Sequence, residues 1–189
     1  MHRTVFALGL TLALGLPAHA QEATAPRVEL EAGIAGFNRD LSRLLGLGPA
    51  WGARAIVPLA SSLSLVIGYQ GAASRVVAEP VEGTPFTLSN GGYAALQLEV
   101  VNDWPVRPYA FAGAGLLRST VPAEAESLLR SDTAGIVPVG LGAEGSLSRH
   151  LRLGARLSYD LIFDNELVRE AGSLAADLWA LTLVAAYAF

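Results

Sequence analysis

The chain has 189 residues, 52% of them hydrophobic and only 16% charged, with a mean hydropathy of +0.41. That length suits one domain, and so apolar a composition, spread along the whole chain, excludes an ordinary soluble domain. A formal net charge of -4 gives nucleic acid nothing to bind, and the absence of cysteine excludes disulfides, thiolate metal sites, cysteine catalysis and a lipid-anchoring cysteine.

Residues 1–20 carry an address rather than a fold. His2 and Arg3 form a short positive region, and residues 5–16 supply an apolar core containing Phe6, Leu8, Leu10 and Leu12. Pro17 and Ala18-His19-Ala20 then make an A-x-A cleavage site, so a secretory signal peptide is expected, with the mature chain beginning at Gln21. The apolar stretch is short of the roughly 20 residues that an uncleaved spanning helix needs. A brief polar leader occupies 21–26.

From Arg27 onward, segments of period-2 alternation are separated by turn chemistry. Strands are predicted at 27–37, 50–59, 63–74, 91–101, 107–117, 133–147, 151–163 and 174–189. Most reach the length of about 9–11 residues that a tilted strand needs to cross a bilayer. The gaps alternate in length: 38–49 is long and 60–62 short, 75–90 long and 102–106 short, 118–132 long and 148–150 short, and 164–173 long. An even number of strands with both termini in the periplasm gives that rhythm. The predicted fold is therefore all-β: an eight-stranded antiparallel up-and-down transmembrane β-barrel over 27–189, with short periplasmic turns and long extracellular loops.

The seventh strand fixes which face is which. Leu151, Leu153, Ala155, Leu157, Tyr159, Leu161 and Phe163 share one side, and Arg152, Gly154, Arg156, Ser158 and Asp160 the other. The first set is expected to meet lipid and the second to line the lumen. A one-residue slip would place arginine in lipid at a cost of about 2–4 kcal/mol. The sixth strand agrees, with Val137, Val139, Leu141 and Ala143 outward and Gly140, Gly142 and Glu144 inward. Centring that hairpin on Ser148 sets Glu144 opposite Arg152, and the two are expected to pair. In the last strand the outward phase reads Trp179, Leu181, Leu183, Ala185, Tyr187, Phe189, which puts aromatic residues at both ends of an apolar run, as interfacial girdles require. A spanning helix from Leu174 fails on length, on Asp177 and on the lack of a basic anchor.

The leader, the run Arg107-Pro108-Tyr109-Ala110-Phe111-Ala112-Gly113-Ala114-Gly115-Leu116 and the tail Tyr187-Ala188-Phe189 together resemble the OmpA/OmpX-type small barrels, the outer-membrane β-barrel domain family. The resemblance covers the mature chain at the level of architecture. It implies a Gram-negative outer membrane, with lipid and lipopolysaccharide as surroundings. It also implies that the barrel assembly machinery reads the terminal Phe189 with Tyr187 two residues before it. Barrels of this kind host unrelated activities, so the resemblance speaks to location more than to role.

The inward phase supplies Glu29, Glu31, Arg54, Gln97, Glu99, Glu144, Arg152, Arg156 and Asp160 as a polar lumen network. A barrel of eight strands is just wide enough for side chains to fill it, and carboxylates and guanidinium groups in so narrow a space satisfy one another. A static polar plug is expected rather than an open path. No enzyme is expected: lipid A deacylase barrels need a Ser–His pair near the outer leaflet, and omptin-type proteases a histidine at the outer rim. The one histidine after the leader, His150, falls in a periplasmic turn. No cofactor or metal motif is present.

Function then falls to the long loops. The first, 38–45, reads as a short helical turn; 79–86 is acidic and broken by proline; 123–130 is helix-like; 164–170 is again acidic. Arg43, Arg130 and Arg169 are candidates for lying against lipopolysaccharide. A non-enzymatic structural or surface-interaction barrel is the leading reading, expected to act as a monomer because closure leaves no edge, and no further domain is expected after the last strand. Two alternatives remain open on sequence. One is a small pore or hydrophobic-solute conduit of the OmpW kind, to which Ala180, Val184, Ala186 and Ala188 could contribute. The other is a soluble lipocalin-like periplasmic carrier, which would invert the same alternation.

Overall fold

The computed structural model describes residues 25–77, 86–100, 104–121, 131–163 and 176–189. The expectations for the leader, for most of the second loop and for the third and fourth loops lie outside the described residues. Eight strands follow in order: β1 Arg27–Arg39, β2 Gly48–Pro58, β3 Leu63–Arg75, β4 Phe86–Glu99, β5 Val106–Thr120, β6 Asp132–Ser146, β7 Leu151–Phe163 and β8 Ala176–Ala188. Each pairs antiparallel with its neighbour in sequence, and β1 pairs with β8 from Arg27↔Ala188 to Arg39↔Ala176, so the sheet closes into a barrel. No helix among the described residues is long and apolar enough to cross a membrane; the strands, 11–15 residues long, do so.

The period-2 pattern becomes an inside and an outside as predicted. Leu183 is 74% exposed while Val184 is 3% exposed, and the same switch runs along every wall. Leu30, Ile67, Leu116, Leu141 and Leu157 form the outer apolar surface, whereas Glu29, Arg54, Gln97, Arg156 and Asp160 are buried inside. A soluble carrier would require the reverse arrangement, so that alternative is overturned.

Two expectations are corrected. Strand β4 begins at Phe86 rather than at 91, because Thr87 and Ser89, which read as loop residues, are lumen-facing positions of a strand whose outward phase is Phe86 and Leu88. The β6–β7 hairpin pairs Ser146 with Arg152 and Glu144 with Gly154, so Glu144 does not face Arg152. The cause is the turn: Ser148 Oγ accepts from the amides of His150 (3.4 Å) and Leu151 (3.1 Å), which centres the hairpin on Arg149.

Aromatic rings lie over glycines of the adjoining strand. Inside, Tyr93 covers Gly68, Phe111 covers Gly140 and Tyr109 covers Gly142; outside, Trp51 covers Gly71 and Trp179 covers Gly36. The glycines leave room for the rings, and the rings shield backbone that a bare glycine would expose. Pro138 interrupts the β5–β6 ladder. Pairing runs to Ala112↔Val139 and resumes at Gly115↔Ile136, leaving Gly113 and Ala114 without partners on that side, because proline has no N–H to give.

Candidate functional site in the barrel interior

The lumen holds a connected set of charged side chains, densest toward the short-turn end. Arg27, at the start of β1, gives Nε to Glu29 Oε1 (3.1 Å) and Nη2 to Glu99 Oε2 (3.3 Å), and stands 3.9 Å from Glu144 Oε2. Glu99 also meets Arg152 Nη1 (3.5 Å) and Arg107 Nη1 at the rim (3.6 Å). Arg54 pairs with the other oxygen of Glu29 and donates to the Tyr109 hydroxyl at 3.2 Å. Further along, Arg156 pairs with Glu31, which also accepts from Thr182 Oγ1 at 3.0 Å, and Gln70 donates to Asp160.

All nine predicted lumen residues point inward: Glu29, Glu31, Arg54, Gln97, Glu144, Arg156 and Asp160 are buried, with Glu99 and Arg152 near the rim. The partners differ from those expected. Arg152 reaches across to Glu99, and Glu144 turns toward Arg27. The oxygens of Glu144 and both amide atoms of Gln97 are buried without a hydrogen-bond partner among the described residues. Of the buried lumen charges, four are carboxylates (Glu29, Glu31, Glu144, Asp160) and three are guanidinium groups (Arg27, Arg54, Arg156).

The sequence reading missed Arg27, Gln70 and Thr182, all of which keep the inward phase that would have found them. It also missed the apolar share of the lumen. Tyr93, Tyr109 and Phe111 are inward and buried, packed with Ile56, Val66 and Ala95. Tyr93 stacks on Phe111 with centroids 6.5 Å apart, and the guanidinium carbons of Arg54 and Arg156 lie 5.6 and 5.5 Å from the Phe111 centroid. Cation–π contacts of this kind, desolvated, are worth about 2 kcal/mol.

A second apolar cluster fills the extracellular mouth. The first loop contains a 3-10 helix, Asp40–Arg43, as the helical-turn reading of that segment implies. Leu41 and Leu45 are fully buried against Phe37, Val76, Leu117, Val121, Ile136 and Leu178. Between this cluster and the charged layer lies a cavity lined by Glu31, Gln70, Ser89, Arg156, Asp160 and Leu178, among others.

At the periplasmic rim the C-terminal aromatics are tied down. Tyr187 stacks on His150 (5.9 Å) and meets Phe189 edge-on (5.5 Å), while the Phe189 amide donates to Pro26 O at 3.2 Å. Phe189 itself is 72% exposed. His150 thus sits in the turn where the sequence put it, its ring against Tyr187 and away from the lumen. Among the described residues no group of three His, Cys, Asp or Glu side chains comes together to hold a metal.

A closed eight-stranded barrel with charge inside and an apolar belt outside is the architecture of small integral outer-membrane proteins. The sequence matches the family described as Outer membrane protein beta-barrel domain over residues 6–189, and the chain belongs to that family. The fold is similar to that of Neisserial surface protein A (NspA), with a TM-score of 0.64 and 17% identity over 89% of this chain and 100% of that one. OprG from Pseudomonas aeruginosa is similar with a TM-score of 0.59 and 11% identity over 88% and 97% of the two chains. Ail, the attachment invasion locus protein of Yersinia pestis, is similar with a TM-score of 0.57 and 11% identity over 88% and 99%. At these identities the likeness is one of fold. No curated protein matches the sequence.

Proposed function

We propose that this protein is a non-enzymatic outer-membrane barrel whose lumen is closed and whose role is exercised by its extracellular loops. The observation that carries the reading is the layer formed by Arg27, Glu29, Arg54, Tyr109 and Phe111, in which charged and aromatic side chains interlock across the bore. A hydrophobic-solute conduit would need an apolar path the length of the lumen, and this layer interrupts it. The chain reaches the membrane by export through a cleaved signal peptide at residues 1–20. The barrel assembly machinery inserts it by reading Tyr187 and Phe189, and it stands as a monomer among lipid and lipopolysaccharide.

The test is conductance in planar bilayers alongside loop deletion in cells. Purified protein is expected to give no steady current steps, while shortening 122–130 or 164–175 should alter surface binding without loss of the heat-dependent gel shift of a folded barrel. Steady conductance from the wild-type protein would sink the closed-lumen reading.

A further inference from the structure

The bore is obstructed twice, by different chemistry. We propose that residues 40–47 form a hydrophobic stopper in the extracellular mouth, a closure independent of the charged and aromatic layer, and that the space between the two is a chamber for ordered water. The proposal rests on the closed-lumen reading and adds a second barrier to it.

The stopper is built into the wall rather than draped over it. Leu45 forms an antiparallel bridge with Val76, Gly46 N donates to Arg75 O at 2.7 Å, and Val77 N donates to Leu44 O at 2.9 Å. This short ladder extends β3 and holds the segment so that Leu41 and Leu45 drop into the mouth. There they pack in one apolar cluster with Phe37, Val76, Leu117, Val121, Ile136 and Leu178, and none of the ion pairs of the charged layer involves either leucine.

The chamber has the chemistry of a water site. Its volume, taken as the space open to the centre of a water molecule, is about 20 Å³. Roughly 10–15 Å³ on that measure holds one water. Asp160 Oδ1 and Arg156 Nε and Nη1 belong to residues that line the cavity, and these atoms are buried with no hydrogen-bond partner among the described residues. Buried polar atoms require partners. A water can accept from the Arg156 guanidinium and donate to the free carboxylate oxygen of Asp160, which satisfies both from one position. The apolar side, Leu117 and Leu178, faces the stopper.

Ser89 lines the chamber, is 1% exposed, and lies in a chain without cysteine, so Ser89→Cys introduces a single thiol there. Whole cells expressing it would be treated with a membrane-impermeant cationic thiol reagent, with folding of every variant checked by heat-dependent gel mobility. The thiol should stay unlabelled in the otherwise wild-type barrel and in Arg54→Ala/Phe111→Ala. In Leu41→Ser/Leu45→Ser it should react about tenfold faster or more, since the lost apolar burial is what keeps the stopper seated. Labelling with the stopper intact, or protection in a folded Leu41→Ser/Leu45→Ser barrel, would overturn the proposal. Wild-type conductance in a bilayer strikes the closed-lumen reading instead, so the two failures are distinguishable.

Discussion

The ring of Tyr93 occupies the space that a side chain at Gly68 would fill. The two residues face each other across the β3–β4 ladder, and the same arrangement recurs with Phe111 over Gly140 and Tyr109 over Gly142. The lumen is thus packed by large rings set against bare backbone. Gly68→Val forces Tyr93 out of place and is expected to cost about 1–3 kcal/mol, the usual range for overpacking. Urea unfolding in detergent micelles would measure it, and adding Tyr93→Ala should return part of the loss.

Glu29 and Glu144 converge on the same Arg27 nitrogen but are held very differently. Glu29 takes hydrogen bonds from two arginines, while Glu144 stands 3.9 Å away with none. Breaking a buried, hydrogen-bonded ion pair costs about 3–5 kcal/mol. Glu29→Gln should therefore be strongly destabilising, whereas Glu144→Gln, which relieves an unsatisfied buried carboxylate, should be neutral or stabilising in the same unfolding assay. Equal losses in the two variants would contradict this account.

Leu157 lies on the lipid face at the middle of β7. Leu157→Arg is expected to destabilise the barrel by about 2–4 kcal/mol, against about 0–1 kcal/mol for the same change at Leu147 in the turn at the interface. Comparing the unfolding midpoints of the two variants in lipid vesicles checks the depth assigned to each.

The Phe189 ring is exposed and meets Tyr187 edge-on, so the side chain contributes little packing to the finished barrel, and the amide bond to Pro26 O does not depend on it. Phe189→Ala should leave refolding into micelles and the heat-dependent gel shift unchanged while lowering the amount of barrel assembled in cells. Unchanged cellular assembly would remove the terminal aromatic from that role.

The strands, their faces and the nine lumen residues were legible because lipid and lumen impose opposite polarity on alternate positions, and a register error is costly. What lay beyond reach was three-dimensional. The partners of Glu144 and Arg152 depend on strand tilt and on a turn set by Ser148 Oγ, neither of which shows in periodicity. The start of β4 was hidden because Thr87 and Ser89 are polar for the same reason that lumen residues are polar. The first loop announced a helical turn, but not that Leu41 and Leu45 would fold back into the mouth, since a leucine in a loop carries no sign of what covers it.

A closed barrel has no edge, yet the ladder of this one carries a break. At Pro138 the wall loses ladder pairing with Gly113 and Ala114 while every other strand–strand boundary runs uninterrupted through its register. Opened along that line the wall is still one eight-stranded sheet, because β1 stays paired with β8 from Arg27↔Ala188 to Arg39↔Ala176, and β5 and β6 become its two edges. A single imino acid thus marks the place where the ladder of the closed wall is interrupted.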